Sequence, residues 1–378
     1  MRAFDVVVIG GGPAGAATAL SLRRVHPALT VGVVEVSTYD TPRVGEMLSP
    51  LAEPLLRHLG VLARFECEGH LPIYSTSAAW GGRVPVPNEF FFSPHRRGWQ
   101  LDRARFDRML AQAAHAAGVE FFHARLRNLQ PGADGGWQFD LRSAAEPLAL
   151  RATFVVDATG RRATFATRQR VQPVAYDALV GIGKFFRVDA ARQCEGGTLV
   201  EAWQHGWWYS APLPNDRLVV VAMTDTDIAK HLGLRQSARW DEYLAAMPYT
   251  RQRLVGTVPL GGLWVRAAHS QRLAYCTGEN WLAVGDAASA VDPLSSQGIV
   301  RALRFGIYAS YGICDWFAGR PPGLAQYAAL VQAEFEHYLS ERAAVYSNET
   351  RWPDASFWAR RNPVPPVPGC GHGPTGYS

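Results

Sequence analysis

A glycine-rich turn near the start of the chain limits the possible folds more than any other feature. The sequence Gly-Gly-Gly-Pro-Ala-Gly at residues 10–15 follows an apolar, β-branched run at residues 4–9 and opens an alanine- and leucine-rich stretch that continues to residue 24. A buried strand, a tight turn and a helix explain this order, and a second apolar run at residues 30–36 completes a βαβ unit. Strands joined in this way are parallel, so the sequence predicts an α/β fold with a parallel sheet.

The spacing of these glycines matches the G-x-G-x-x-G dinucleotide-binding turn. The first glycine, Gly10, permits the tight turn, and the second, Gly12, lets a pyrophosphate approach the backbone. The third, Gly15, allows helix and strand to pack closely, while the helix N-terminus at Pro13 and Ala14 supplies positive potential. The turn therefore predicts a dinucleotide site.

Carboxylates at two strand ends support the same site. Glu35 ends the second strand and can accept hydrogen bonds from ribose hydroxyls. Gly285 and Asp286 directly follow a buried run at residues 281–284, and Gly298 and Ile299 open a long helix. The N–H groups at that helix start can stabilise negative charge on a bound ring system.

These segments, together with Val-Asp-Ala-Thr-Gly at residues 156–160, resemble the FAD-binding fold of para-hydroxybenzoate-hydroxylase-type monooxygenases, geranylgeranyl reductases and flavin-dependent halogenases. Trp-Gln-Leu-Asp-Arg at residues 99–103 is similar to a helix start that contacts FAD in these families. The resemblance implies an FAD-dependent oxidoreductase with the following cofactor-binding residues: Gly10, Gly12, Pro13, Ala14, Gly15, Glu35, Arg43, Glu46, Arg103, Gly160, Gly285, Asp286, Gly298 and Ile299.

Shorter motifs resemble one branch of this group more closely. They are Arg-Val-Gly-Glu at 43–46, Ala-Trp-Gly at 79–81, Asp-Pro-Leu-Ser-Ser-Gln-Gly at 292–298, Glu-Thr-Arg-Trp at 349–352 and Phe-Trp-Ala-Arg-Arg at 357–361. Similar motifs occur in flavoprotein maturases of quinone-cofactor amino-acid oxidases, the glycine oxidase and lysine ε-oxidase types. This resemblance implies oxygenation of a peptidyl tryptophan in a quinoprotein precursor during tryptophylquinone formation.

The domain organisation predicted from these segments is discontinuous. We expect an α/β chain, α+β overall, in which a Rossmann-like FAD-binding domain (residues 1–72, 100–172 and 265–320) is interleaved with a substrate domain (residues 73–99 and 173–264). Four apolar runs between residues 185 and 223, separated by Gly, Pro and Asn-Asp turns, predict a mostly antiparallel sheet there. Residues 321–361 form a C-terminal helical segment, and 362–378 are a flexible Pro/Gly-rich tail.

The composition argues against several kinds of binding partner. The excess of Lys+Arg (38) over Asp+Glu (33) is small and spread along the chain, which argues against nucleic-acid and membrane binding. The five cysteines contain no C-x-x-C pair, so we expect no metal site and a reduced, cytoplasmic protein. Only Lys184 and Lys230 are lysines.

The scarcity of lysine bears on the reaction. Flavin-dependent halogenases carry a lysine beyond the segment that matches Gly45 and Glu46, and tryptophan halogenases have a glutamate where Ser295 stands. No lysine precedes Lys184 here, and this favours a monooxygenase that uses O2 and electrons from NAD(P)H or a separate flavin reductase. A small-molecule aromatic hydroxylase, a geranylgeranyl-reductase-like oxidoreductase and a non-catalytic flavin-binding maturation chaperone remain open.

The expected substrate is an indole or phenol ring, carried by a precursor polypeptide or by a small aromatic molecule. Rigid aromatic side chains suit such a substrate. The pocket candidates are Trp80, Trp207, Pro293 and Ser295, with Trp203, Trp208, Tyr209 and Trp264 as further aromatic candidates. His95 and His205 are possible proton carriers, although an ordinary hydrogen-bonded histidine is the simpler interpretation of each. The catalytic residues are otherwise unknown, since the flavin itself performs the chemistry.

Overall fold

Two large β-sheets form the framework of the computed structural model, which describes residues 1–41, 43–92, 95–132, 135–143, 147–189, 197–320 and 322–362. The strands are β1 (Arg2–Ile9), β2 (Val31–Glu35), β3 (Met47–Leu48), β4 (Leu71–Ile73), β5 (Ser75–Ala79), β6 (Val86–Glu89), β7 (Gly98–Gln100), β8 (Glu120–Pro131), β9 (Trp137–Ser143), β10 (Pro147–Asp157), β11 (Pro173–Ala175), β12 (Leu179–Val188), β13 (Thr198–Trp203), β14 (Gly206–Leu213), β15 (Arg217–Asp225), β16 (Thr257–Ala267), β17 (Gln271–Leu273), β18 (Trp281–Ala283) and β19 (Ser289–Ala290). The α-helices are α1 (Pro13–Val25), α2 (Ala52–His58), α3 (Leu62–Glu66), α4 (Arg103–Ala116), α5 (Thr164–Arg168), α6 (Thr226–His231), α7 (Ser237–Ala245), α8 (Pro248–Gln252), α9 (Gly298–Phe317), α10 (Pro322–Ser347) and α11 (Ser356–Ala359). The predicted mixed α/β fold is confirmed.

The first sheet brings the predicted dinucleotide segments to one edge. β1 lies between β2 and β10, and β18 pairs with the other side of β10, all in parallel. The carboxyl ends of parallel strands meet at the same edge, and a ligand commonly binds there. The turn after Ile9, the carboxylate of Glu35, the turn after Asp157 and the segment at Gly285 are therefore neighbours.

The second sheet contains β16, β12, β15, β14, β13, β5 and β6 in that order. Its pairings are antiparallel except between β13 and β5, so the predicted antiparallel character is confirmed. The helix α7 packs on one face through Trp240, which is fully buried and donates from Nε1 to the carbonyl of Ile182. The other face forms one wall of the site described below.

Several element boundaries differ from the sequence predictions. β1 begins at Arg2 rather than at residue 4, and β2 ends at Glu35 rather than at residue 36. The segment at residues 156–160 begins at the end of a long strand, β10, whose first half pairs antiparallel with β9. We did not predict β16, because its Gly261-Gly262 pair interrupts the alternation of apolar and polar residues that marks a strand.

The C-terminal helix α10 braces the loop that precedes α9. The hydroxyl of Tyr346 donates to Oδ2 of Asp292 (2.8 Å) and accepts from Nε1 of Trp207 (3.0 Å). Arg342 lies 3.3 Å from the same carboxylate, and the hydroxyl of Tyr338 accepts from the backbone N–H of Asp292. Because Asp292 and Tyr346 are buried, these bonds fix the loop to the helix.

This brace makes a stability prediction. Tyr346→Phe leaves the buried indole N–H of Trp207 without its acceptor and removes a donor from Asp292, which should lower the free energy of unfolding by about 2 kcal/mol. Urea unfolding monitored by tryptophan fluorescence measures this, with the half-exposed Tyr308→Phe as the matched control. Equal unfolding midpoints for the two variants would contradict the brace.

Candidate flavin site

A cavity of about 690 Å³ opens where the carboxyl ends of the first sheet face the second sheet. Residues from both sheets and from the start of α9 line it. The lining includes Gly10, Gly12, Pro13, Ala14, Glu35, Arg43, Glu46, Arg103, Thr159, Gly160, Arg161, Arg162, Gly181, Tyr209, Met223, Trp264, Arg266, Ala267, Asp286, Pro293, Gly298 and Ile299.

The glycine turn is built as its spacing predicts. A Cβ on Gly10, where φ is +108°, would lie 2.2 Å from the carbonyl oxygen of Ala158, and one on Gly15 would lie 1.9 Å from the carbonyl oxygen of Gly10. Backbone atoms therefore exclude a side chain at both positions. A Cβ on Gly12 would meet no atom within 4 Å, so this residue leaves a space beside the start of α1. The residues present thus fit a pyrophosphate at Gly12, held by the N–H groups of the first helical turn.

Glu35 is oriented by the turn that it supports. Its Oε2 accepts from the N–H of Gly11 (2.6 Å) and its Oε1 from the N–H of Ser37 (2.8 Å). The hydroxyl of Tyr39 donates to the carbonyl of Gly11 from the other side. The carboxylate is buried yet lines the cavity, in the position where a ribose diol would be bound.

Two arginines hold the loop at residues 43–46. Arg43 donates to Asp107 on α4 (2.7 Å), and Arg103 donates to the carbonyls of Val44 (2.7 Å) and Gly45 (3.0 Å). Arg103 also lies 3.2 Å from Asp107, which is fully buried between the two guanidinium groups. Both arginines line the cavity, so the cationic edge of the site is fixed in place before any anion binds.

Glu46 has an unusual environment. The side chain is buried and lines the cavity; Oε2 accepts from the N–H of Gly45 (2.9 Å), but Oε1 has no hydrogen-bond partner among the described residues. Burial raises the pKa of this carboxyl to about 7. A buried acceptor without a partner is costly, so Glu46 either retains a proton or bonds to a molecule in the cavity.

The loop before α9 forms the opposite wall. Pro293, Gly298 and Ile299 line the cavity, and a Cβ on Gly298 would meet nothing within 4 Å. Among the described residues, no side chain caps the N-terminus of this 20-residue helix, so its first N–H groups remain available. Asp286 also lines the cavity, and its carboxylate lies 3.8 Å from Arg161.

The predicted glycines have different structural roles: Gly160 lies in a turn that lines the cavity, whereas Gly15 and Gly285 allow close packing. Gly160, with φ of +66°, follows Asp157, whose buried carboxylate accepts from the N–H groups of Thr159, Phe165 and Ala166. Gly15 and Gly285 do not line the cavity. A Cβ on Gly285 would lie 2.6 Å from Cβ of Ala14, so this glycine serves the packing of the turn against α1.

Three pocket candidates lie outside this cavity, which corrects the sequence prediction. Trp80 donates to the carbonyl of Val345 and packs edge-on against Tyr346 and Trp358. Trp207 is fully buried and bonded to Tyr346, and Ser295 donates back to the carbonyl of Asp292. The C-terminal helices hold both tryptophans, and a sequence pattern cannot reveal a partner so distant along the chain.

The remaining candidates divide between core and cavity. Trp203 and Trp208 are core residues whose ring centroids lie 5.9 Å apart. Tyr209 and Trp264 line the cavity. His95 and His205 do not line it. Met223, Arg161 and Arg266 also line the cavity but were not among the predicted site residues. Alternation along β15 could have placed Met223 on a face of the sheet, but not on the face that meets the flavin site.

The residues that the structure describes contain no cluster of three or more potential metal-ligating side chains. In the same part of the chain, no helix is long and apolar enough to span a bilayer.

The turn, the acidic strand end and the helix start form a dinucleotide site, and the proteins that match this chain make it an FAD-dependent oxidoreductase. The family model for tryptophan halogenases matches residues 5–71 and 73–368, so the chain belongs to the tryptophan halogenase family. The predicted flavoprotein group is thereby confirmed, but the matched family within it is that of the halogenases rather than the maturases, which corrects our closer assignment.

Three individual proteins are similar to this chain over most of its length. The putative FAD-dependent oxidoreductase LodB of Marinomonas mediterranea is 31% identical over 369 residues, covering 96% of this chain and 98% of LodB. The crystal structure of the flavin-dependent halogenase CmlS shares the fold, with a TM-score of 0.86 at 22% identity over 97% of this chain and 68% of CmlS. The peptidyl tryptophan dihydroxylase QhpG has a TM-score of 0.72 at 25% identity over 95% of this chain and 79% of QhpG.

The glycine turn predicts a specific effect on FAD. Gly12→Val places a side chain in the space that the pyrophosphate would fill, so the FAD content after purification should fall by more than about tenfold. The unfolding midpoint of the FAD-free protein should not change, because a Cβ at this position would meet no protein atom within 4 Å. Flavin absorbance relative to protein measures the effect, with Gly82→Val as a control at an equally open position. Normal FAD content in the Gly12 variant would exclude this binding mode.

Glu46 predicts a pH-dependent stability difference. Its folded-state pKa of about 7 lies above the ordinary value of 4.5, so the FAD-free protein loses stability as pH rises through this interval. Glu46→Gln lacks this loss and should become more stable than the wild type by about 3 kcal/mol above pH 7, with little difference below pH 4.5. Urea unfolding across this pH range tests it, with the exposed Glu89→Gln as control. If the difference in unfolding free energy between Glu46→Gln and the wild type did not change with pH, Glu46 would not carry a proton in the folded protein near neutral pH.

Proposed function

We propose that this protein is an FAD-dependent monooxygenase that oxygenates an aromatic ring, the tryptophan side chain of a quinoprotein precursor. The observation that carries the proposal is the chemistry of the cavity wall, which offers aromatic and sulfur-containing side chains but no lysine among the described residues that line it. Bound FAD, reduced by NAD(P)H or by a separate flavin reductase, supplies the activation of O2. The chain's own residues bind the substrate ring, orient it and shield it from water.

The positions of both lysines argue against halogenation. Lys184 lies on β12, but its ammonium is 2.6 Å from Oδ1 of Asp241 and 4.8 Å from the ring centroid of Trp240, on the side of the sheet covered by α7. Lys230 is exposed on α6. Neither lines the cavity, so neither can carry a halogen there in the way that the halogenase lysine does.

The wall formed by the second sheet suits a planar ring. Tyr209, Met223 and Trp264 project from β14, β15 and β16 into the cavity. Gly183 makes room for Trp264, because a Cβ there would lie 2.5 Å from the indole. Burial raises the pKa of the Tyr209 hydroxyl, which therefore remains protonated and can donate a hydrogen bond. These side chains can hold a ring in a dry pocket.

Two observations support a peptidyl tryptophan as the substrate. The Arg-Val-Gly-Glu loop and the C-terminal motifs resemble those of quinoprotein maturases, and QhpG, which acts on peptidyl tryptophan, shares fold and a quarter of the aligned residues. Arg266 and Ala267 at the end of β16 are exposed and also line the cavity, so a ring can enter on this side while its backbone stays outside. A small aromatic molecule would fit the same wall.

Halogenation is the second candidate, because the matched family is that of tryptophan halogenases. It requires a route for the halogen other than a cavity lysine. A reaction mixture that contains bromide separates the two activities by the mass of the product.

Co-expression with the precursor subunit tests the proposal. The precursor should gain the mass of one or two oxygen atoms at a tryptophan-containing peptide when the wild-type protein is present, and should keep its original mass with the FAD-deficient Gly12→Val variant. Tandem mass spectrometry locates the change. Equal oxygenation with both proteins would refute the proposal, and a bromine isotope pattern in bromide medium would support the second candidate instead.

A further inference from the structure

The strand β16 leaves one edge of the second sheet open. It is the terminal strand of that sheet, and the described residues pair with it only through β12. Most of its residues are exposed or half-buried, including Val258 at 63%. An open edge presents unpaired backbone N–H and C=O groups that can bind an extended chain.

Only the second half of β16 suits such pairing. Pro259 has no backbone N–H and is typical of edge positions that resist pairing. The following residues, 261–267, contain no proline. The accessible part of the edge is therefore the part nearest to the cavity, which Trp264, Arg266 and Ala267 line.

A glycine pair opens this part of the strand. Gly261 has φ of +77°, which explains its residue type, but Gly262 is not in the left-handed region. A Cβ on either glycine would meet nothing within 4 Å, so internal packing does not require glycine at 262. The pairing of β16 with β12 shifts register between Gly183 and Phe185, so the glycine pair lies in a β-bulge, and the space at Gly262 is left open for another backbone to approach.

The charge beside this edge indicates the kind of chain that would bind. Arg162 and Arg266 are both exposed and line the cavity. Arg266 donates only to the adjacent carbonyl of Val265, and among the described residues neither guanidinium forms an ion pair with a carboxylate. Exposed cations of this kind favour acidic residues in a partner and exclude basic ones.

We propose that residues 261–267 of β16 are the docking strand for an extended, acidic segment of the polypeptide substrate, which pairs with the sheet edge and presents its aromatic side chain to the cavity. This inference rests on the proposed function, since it assumes that the ring oxidised belongs to a polypeptide. Backbone pairing would supply affinity, and Arg162 and Arg266 would select acidic flanks.

Peptide binding to the FAD-loaded full chain tests the inference without measuring turnover. The probe is a fluorescein-labelled synthetic peptide of alternating valine and threonine with a central tryptophan and acidic residues at both ends, followed by fluorescence anisotropy. Gly262→Val and Arg266→Glu should each weaken binding by about fivefold or more at low salt. Gly82→Val and the exposed Arg64→Glu are the matched controls and should bind the peptide as the wild type does. FAD content and unfolding midpoint confirm that each variant is folded.

Two further peptides distinguish edge pairing from other modes. A peptide N-methylated at alternate residues cannot complete the strand pairing and should bind at least about tenfold more weakly, and a peptide with lysines at both ends should not bind detectably. The docking strand would be refuted if the methylated peptide bound as tightly as the parent, if the β16 variants behaved like their controls, or if the acidic peptide did not bind the wild type. If the peptides bind as expected but no precursor is oxygenated, the proposed function fails while the docking strand stands.

Discussion

Close packing of α1 against the turn that precedes it is the constraint on which the site depends. Three glycines make it possible: Gly15 packs on the carbonyl of Gly10, Gly285 on Ala14, and Gly306 of α9 on Ala17, where an added Cβ would lie 2.7 Å away. Because α1 is held by β1 on one side and α9 on the other, its first turn has a fixed direction. That direction aims its free N–H groups into the cavity and places Glu35 beside the turn.

The same packing joins distant parts of the chain into one site. The loop before α9 forms the far wall of the cavity, and α10 fixes this loop through the buried carboxylate of Asp292. Burial raises the pKa of Asp292, whereas Arg342 beside it opposes that rise, so the pair is stable only while both partners remain in place. The C-terminal helices are therefore part of the flavin site although they contribute none of the cavity residues described above.

How much of this was predictable depends on the range of the interactions. The turn at Gly10 to Gly15, the carboxylates of Glu35 and Asp286 and the long helix could be read from the sequence, because each follows from local patterns of strand, glycine and helix. The substrate wall could not. Trp80 and Trp207 are as aromatic as Trp264, and only their contacts with Tyr346 on α10 show that they belong to the core. The unpaired oxygen of Glu46 also has no sequence signal, since it depends on burial by several elements.

The structure of the FAD-loaded protein tests the central claim most directly. We predict that the pyrophosphate lies against Gly12 at the start of α1, the ribose against Glu35, and the flavin ring between the loop at Pro293 and the wall that contains Tyr209 and Trp264. FAD bound elsewhere on the molecule, or FAD in the cavity with its pyrophosphate away from Gly12 and its ribose away from Glu35, would contradict the account.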